Sequence, residues 1–388
     1  MSLGRLIRQA GTALAMGNPK RRSLPYPLPN ATHATMAWFD LFSHDLLFDG
    51  ARHLHSLAMQ LIELGYLVAI VDRNRLVKTL RRKLHGDGIL QAEGVYLVSA
   101  DQSPPPGAII VTDSNRSQHE LASIQVYVSS EPVANSSVFP FPVHPAVRPH
   151  LTPSKLAAGR NRRRRGRLFF CGNQKQSYAN RQLAAQFGVC TRTDLLGRLR
   201  QSFSDMCEPM PASSKLPDQF NRPVMVGDSR KHPIAHKDWL EALSQFEFFI
   251  GCPGRAHPMC HNVIEAMSVG TIPILEHGHL FAPSLTDGEN AILFSSLDGF
   301  ENAVRRALAM TDDKVRQLRK GVIEYFDSHL KGDQFMHRLL LTARLRGRVM
   351  LSLPYHHSDL GDAAWPSWRE RRNLATTPNR SGAVHAAA

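Results

Sequence analysis

A chain of 388 residues with 43% hydrophobic content is long enough for two ordinary domains and apolar enough to build their cores. Lys and Arg total 47 against 33 acidic residues, a formal charge of +14, which points to acidic ligands or surfaces such as nucleotide diphosphates, anionic lipid or nucleic acid. The five cysteines, at 171, 190, 207, 252 and 260, form no C-x-x-C pair and give no sign of a disulfide framework or a zinc site, which fits a reducing, cytoplasmic setting. No run approaches the ~20 apolar residues needed to cross a bilayer.

Ahead of Asp40, the first acidic residue, Arg5, Arg8, Lys20, Arg21 and Arg22 surround an apolar stretch too brief for a secretory signal. Residues 1–30 are therefore expected to form a mobile basic arm, with an amphipathic surface anchor or a targeting peptide as the alternatives. Thr35 to Phe42 is apolar enough for a first strand, and Ser43 to Gly50 makes a polar turn. Leu54, Leu57, Ala58, Leu61 and Ile62 then recur at helical spacing, with Gly65 as a stop before a strand over Tyr66 to Val71. Further strands are expected at Val95 to Val98, Ala108 to Val111 and Ile124 to Val128, the spacing of an open, mostly parallel sheet. No G-x-G-x-x-G follows the first strand and no G-x-x-x-x-G-K-[ST] occurs, which removes the main support for dehydrogenase and P-loop readings.

Phe139 to Pro153 is too proline-rich for a helix or a central strand and is expected to be an extended connector at a domain boundary. Arg160, Arg162 to Arg165 and Arg167 follow. This run is either a solvated linker or a contact with anionic lipid, with nucleic acid a third choice. A second basic cluster, Arg73, Arg75, Lys78, Arg81, Arg82 and Lys83, belongs to the N-terminal domain. The expected organisation is thus a domain over 31–150, a basic linker over 151–167, a second domain over 168–352 and a mobile tail over 353–388.

In the second domain, the strand Leu168 to Cys171 runs into a turn at Gly172. Asp238 to Gln245 is a short helix before the apolar strand from Phe246 to Ile250, and Gly251 to Gly254 bends the backbone beyond it. Met259, Val263, Ile264 and Met267 recur at helical spacing, Pro258 suits a first helical position, and Gly270 closes the helix before a strand over Thr271 to Leu275. His257, His261 and Glu265 step by four. They are expected to share one helix face near an N-terminus whose N–H groups favour an anion, a face suited to a phosphate followed by a hydroxyl-rich group. Arg255 is placed to pair with that phosphate, and Glu276 and His277 lie at the carboxyl edge of the next strand. No glutamate lies between the histidines as in H-E-x-x-H, so no metal is expected. A packing helix around Phe300 to Leu308 and a terminal helix through Phe335, Leu339, Leu340 and Leu345 complete the pattern.

Two stretches carry a family resemblance. The run Asn262-Val-Ile-Glu265-Ala-Met-Ser-Val-Gly270-Thr-Ile-Pro-Ile resembles the donor-binding helix of GT-B-type nucleotide-sugar glycosyltransferases, of the group 1 and exostosin-like kinds. Asp49-Gly50-Ala51-Arg52-His53-Leu54, with Leu64-Gly65-Tyr66, resembles the opening of the acceptor domain in the same enzymes. Many members carry a glutamate eight positions before Glu265, where this chain has His257. The resemblance implies an α/β fold of two Rossmann-like domains facing an interdomain cleft, with the donor bound mainly by the C-terminal one. It implies that Glu265 meets the ribose and that Lys175 and Arg181, beside Gly172, meet the diphosphate. Gly254, Arg255, His261, Asn262 and Glu276 complete the expected donor site. Asp49 and His53, with His44 nearby, are candidates for a general base at the acceptor hydroxyl, and His257 is a further catalytic candidate. The implied reaction moves a hexosyl group from a nucleotide-sugar co-substrate to a glycan or lipid-linked acceptor, with no other cofactor. The enzyme would be cytoplasmic, either free or held at an anionic membrane surface, with no nucleic acid as partner. A catalytically silent α/β module binding anionic polymers, and a sugar-nucleotide epimerase on the same fold, are the alternatives.

Overall fold

The residues described in this computed structural model are 35–114, 121–129, 132–211, 216–217, 219–255 and 257–354. The expected arm over 1–30 and nearly all of the expected tail over 353–388 lie outside the described residues. Contact density divides the chain into two units, Met1–Gln125 with Leu340–Val349 and Val126–Leu339 with Met350–Ala388. The division falls before the proline-rich stretch, because Phe141, Val143 and Val147 are buried in the core of unit 2.

Unit 1 opens with β1 (Met36–Asp40), α1 (Arg52–Glu63), β2 (Leu67–Val71), α2 (Leu76–Leu80), α3 (Gly86–Gln91), β3 (Val95–Val98), β4 (Ile109–Thr112) and β5 (Ser123–Ser129). β1 pairs in parallel with β2 and β4, β3 flanks β2, and β5 flanks β4. Trp38, Ala69 and Ile110 are buried on one face, while Phe39, Val68 and Val111 are buried on the other. A sheet covered on both sides is what near-continuous apolar strands require.

The chain continues through β6 (Ser137–Val138), α4 (Pro153–Asn161), β7 (Gly166–Gly172), α5 (Arg181–Phe187), α6 (Arg192–Ser202), β8 (Cys207–Pro209) and β9 (Val224–Asp228). Then come α7 (His236–Leu243), β10 (Phe246–Ile250), α8 (His261–Ser268), β11 (Ile272–Leu275), β12 (Ile292–Leu293), α9 (Ser296–Ala309) and α10 (Asp312–Tyr325). α11 (Asp333–Arg346) and β13 (Arg348–Pro354) close the described residues. The first sheet has the order β3-β2-β1-β4-β5-β13-β6, and the sheet of unit 2 the order β12-β11-β10-β7-β9-β8. Every pairing in the second sheet is parallel. Phe169 stacks on Phe246 at 4.5 Å across β7 and β10. Gly166 leaves room for that ring, since a Cβ there would meet Phe246 at 2.3 Å. No helix among the described residues is long and apolar enough to cross a membrane.

Three members of the arginine run, Arg160, Arg164 and Arg167, are not solvated linker residues, while Arg163 and Arg165 stay exposed. Helices that connect parallel strands end beside the strands' starting edge, with unpaired carbonyls and a negative dipole end. Arg160, Arg164 and Arg167 sit at that edge and donate to those carbonyls. Arg160 Nε donates to Ser268 O at 2.9 Å and its two terminal nitrogens grip Asp327 at 2.9 and 2.8 Å. Arg164 donates to Ser244 O and, at 2.6 Å, to Val269 O, which are the C-caps of α7 and α8. Arg167 donates to Ala307 O at 3.1 Å and to Met310 O, at the end of α9. Sequence reasoning took a row of charges as a solvent-facing feature because the helix ends it serves lie 80 to 143 residues away.

Arg164→Ala is expected to cost about 2–3 kcal/mol of unfolding free energy by urea denaturation, since two helix ends lose a charged donor. A solvated linker residue would change stability by no more than about 0.5 kcal/mol.

Candidate functional site

In unit 2, β7 continues the chain toward β9 and β8 on one side, whereas β10 continues toward β11 and β12 on the other. The carboxyl ends of β7 and β10 therefore bound the switch point, where open parallel sheets take their ligands. Gly172 and Asn173 leave β7 there, and Gly251 to Gly254 leave β10. Arg192, buried at the start of α6, ties the two loops together. Its Nε and Nη2 donate to Pro253 O at 3.1 and 2.9 Å and its Nη1 to Asn173 O at 2.9 Å, with the guanidinium 3.9 Å above the Tyr178 ring. Sequence reasoning missed Arg192, because nothing in its neighbourhood marks a cation that serves carbonyls 19 and 61 residues away.

α8 points its N-terminus at this crevice. Its N-cap, Cys260, is extended (φ −138°, ψ 135°) and supplies no side-chain cap; Val263 N–H donates to Cys260 O at 3.1 Å, and the His261 and Asn262 N–H groups are the ones placed to meet an anion. The helix starts at His261 and not at Pro258. Gly254 N–H donates to Pro258 O at 3.3 Å, which puts the proline in the closing turn of a loop, and a Cβ on Gly254 would meet His257 O at 2.5 Å. His257 consequently does not share a helix face with His261 and Glu265. It is buried, its Nδ1 accepts Met259 N–H at 3.1 Å, and its ring lies 6.4 Å from Phe141 and 5.0 Å from Phe187.

Glu265 is fully buried one turn into α8. Its Oε1 accepts His144 N–H at 2.7 Å, its Oε2 accepts Trp239 Nε1–H at 2.6 Å, and both oxygens lie 3.1 Å from His261 Nδ1. The carboxylate thus gathers donors from the proline-rich stretch, from α7 and from its own helix. Above it, the His144 ring stacks on His236 at 4.6 Å and meets His261 at 5.2 Å. His236 is exposed and His261 half-buried, so imidazoles form the outer layer over the carboxylate. Neither His144 nor His236 was singled out from the sequence as a site residue. His144 lies 121 residues from Glu265, and only the fold brings them together. Among the described residues no group of three or more His, Cys, Asp or Glu side chains is disposed to hold a metal ion.

The other expected donor residues fall around the same edge. Asn262 Nδ2 donates to Cys171 O at 3.3 Å, while its Oδ1 is buried without a partner. Gly172 is buried at the end of β7, packed close to Phe170. Lys175 and Arg255 are exposed, and Arg181 is 83% exposed and 3.6 Å from Asp194. Glu276 is not open to a ligand in the same way. It accepts Cys190 N–H at 2.5 Å and Ser296 N–H at 2.9 Å, joining three loops. Burial pushes the Cys171, Cys190 and Cys252 thiols up to about 12, which keeps them protonated and unreactive at neutral pH.

A cavity of about 400 Å³ opens at the carboxyl ends of β8 and β9, next to Gln174. Pro209, Met210 and Val226 give it apolar lining, and Arg200 and Lys231 line it together with the carboxylates Glu208 and Asp228.

In unit 1, the loop after β1 carries the other candidates. His53 is fully buried on α1, its ring 4.4 Å from Phe48. Asp49 keeps 35% of its side chain exposed and lies 3.3 Å from Arg52 Nε. His44 Nε2 lies 3.0 Å from Asn74 O.

No family model matches the sequence, and no curated protein matches it. Among solved structures, the chain is similar to a glycosyltransferase from Rickettsia africae, with 10% identity and a TM-score of 0.41 over 81% of this chain and 98% of that one. It is similar to a sucrose-phosphate synthase from Thermosynechococcus elongatus, with 14% identity and a TM-score of 0.41 over 81% of this chain and 100% of that one. A third is an α-glucosyltransferase solved with UDP and a 13-mer DNA, with 12% identity and a TM-score of 0.39 over 81% and 100% of the two chains.

His277, just after β11, is fully buried with both ring nitrogens unpartnered. Burial, with His279 nearby, pushes it down from its ordinary 6.5 to about 3. The unfolded chain takes up a proton below about pH 6.5 that the folded chain refuses, so stability falls as pH drops through that range. This residue alone is expected to remove about 2 kcal/mol between roughly pH 7 and pH 5 in urea unfolding, and His277→Leu to remove that dependence.

Proposed function

We propose that the protein transfers a hexosyl group from a nucleotide-sugar donor held by unit 2 to a hydroxyl of a glycan or lipid-linked acceptor. One observation carries the reading. The segment that resembles a donor-binding helix, Asn262 to Ile274, begins at an uncapped helix N-terminus at the switch point of a parallel sheet, where a diphosphate is best received.

The leaving diphosphate gains negative charge as the sugar departs, and positive groups that await that charge lower the barrier. The α8 N–H groups, Arg255, Lys175 and Arg181 supply it without a metal. Glu265 acts through His261. With Nδ1–H committed to the carboxylate, the imidazole presents Nε2 outward to a donor hydroxyl or phosphate oxygen. In this arrangement the ribose contact expected of Glu265 passes to the histidine layer it supports. Arg192 keeps the two phosphate-side loops in register, and the neighbouring cavity, lined by apolar and by both acidic and basic side chains, receives the base. For an inverting reaction, Asp49 is the accessible base of unit 1, His53 being buried against Phe48.

The test is nucleotide release from a panel of uridine, guanosine, cytidine and thymidine sugars with candidate acceptors. Turnover of one donor is expected, with His261→Ala lowering kcat/KM about 100-fold while circular dichroism shows the variant still folded. No turnover of any donor, together with indifference to every nucleoside diphosphate, would refute the reading; product formed without acceptor would indicate epimerisation instead.

A further inference from the structure

The two basic stretches of the sequence meet different fates. Arg160, Arg164 and Arg167 are taken up inside unit 2 by helix carbonyls, whereas the cluster after β2 stays on the surface of unit 1. Arg75, Lys78, Arg81 and Arg82 are exposed. The nearby carboxylates Asp40 and Asp49 are taken by Arg73 at 2.9 Å and Arg52 at 3.3 Å, and Asp72 accepts Val77 N–H at 3.1 Å. Among the described residues, no ion pair engages Arg75, Lys78, Arg81, Arg82 or Lys83. Left-handed Asn74 and Arg75 (φ 51° and 59°) turn the chain out of β2. Leu76, Val77 and Leu80 then anchor α2 inward, which leaves the cations of that short stretch on the outer side.

Two large apolar side chains stand among these charges. Leu84 is 80% exposed, although its neighbour is fixed by His85 N–H donating to Gly50 O at 2.9 Å. Phe42 is 41% exposed, with Arg73 4.5 Å above its ring and Asn74 Nδ2 donating to its carbonyl at 2.9 Å. A single exposed leucine needs no explanation, but a nearly bare one directly following three cations, on an edge that also bares a phenylalanine, has the composition of a membrane-surface contact. A nucleic acid would satisfy the cations and stack on Phe42, but it offers nothing to an aliphatic Leu84.

We propose that this edge of unit 1 docks on an anionic lipid bilayer. Leu84 and Phe42 enter the acyl boundary while Arg75, Lys78, Arg81, Arg82 and Lys83 meet headgroup phosphates. The proposal does not depend on the reaction assigned to unit 2. The test is co-sedimentation of the full chain with phosphatidylcholine vesicles with and without phosphatidylglycerol. Binding is expected only to the anionic vesicles. Each cation contributes about fivefold to partitioning, so the charge-reversed double variant Arg81→Glu, Arg82→Glu is expected to weaken binding by more than about tenfold. Leu84→Ser is expected to weaken it several-fold, and Leu341→Ser, a control elsewhere in unit 1 at a residue 59% exposed, to leave it unchanged. Circular dichroism confirms that each variant is folded. Equal binding to neutral vesicles, absence of vesicle binding, capture by oligonucleotides alone, or vesicle binding untouched by both patch variants would each overturn the proposal.

Discussion

In the parallel sheet of unit 2 every connecting helix must return against its strands, so helix N-termini collect at one edge and C-termini at the other. The rest of the unit follows from that sorting of charge. At the starting edge, carbonyls of α7, α8 and α9 converge near β7, and Arg160, Arg164 and Arg167 are there to receive them. At the finishing edge the positive end of α8 is left without a cap. A strongly basic sequence is thus not uniformly available to ligands: part of its charge neutralises the fold's own dipoles, and the remainder faces outward.

Glu265 is the second constraint. A carboxylate removed from water is costly unless its lone pairs are met by good donors, and here they come from three segments distant in the chain. The arrangement holds the proline-rich stretch against α7 and α8, so residues expected to form a connector instead build one wall of the candidate site. It also fixes which atoms remain for a ligand. The carboxylate is enclosed, whereas the imidazoles of His144, His236 and His261 form the layer above it. Arg192 performs the complementary task on the phosphate side, with its charge directed to loop carbonyls that glycines bring close.

Elements governed by local periodicity were legible in the sequence. β10, α8 and β11 follow from the apolar run Phe246 to Ile250, the helical spacing of Val263, Ile264 and Met267, and the stop at Gly270. The N-terminal strands at 36–40, 67–71 and 95–98 follow in the same way. What failed was whatever depended on long-range partners. Pro258 has the chemistry of a first helical residue, yet a hydrogen bond from Gly254 closes a loop around it, and that single bond moves His257 from the helix face into a packed loop. The arginine run has the composition of a linker, and only the fold shows the carbonyls it serves. His144, His236 and Arg192 belong to the site because of partners that spacing cannot reveal.

The central claim is that a nucleoside diphosphate binds at the N-terminus of α8, between the loops that follow β7 and β10. Hydrogen–deuterium exchange with and without UDP, GDP, CDP and TDP tests it most directly. The account predicts that one of them slows exchange of the amides at 172–175, at 251, 252 and 254, and at 261–263 while leaving the carbonyl-capped ends of α7, α8 and α9 unchanged. Protection confined to other segments, or none with any of the four at saturating concentration, would contradict it.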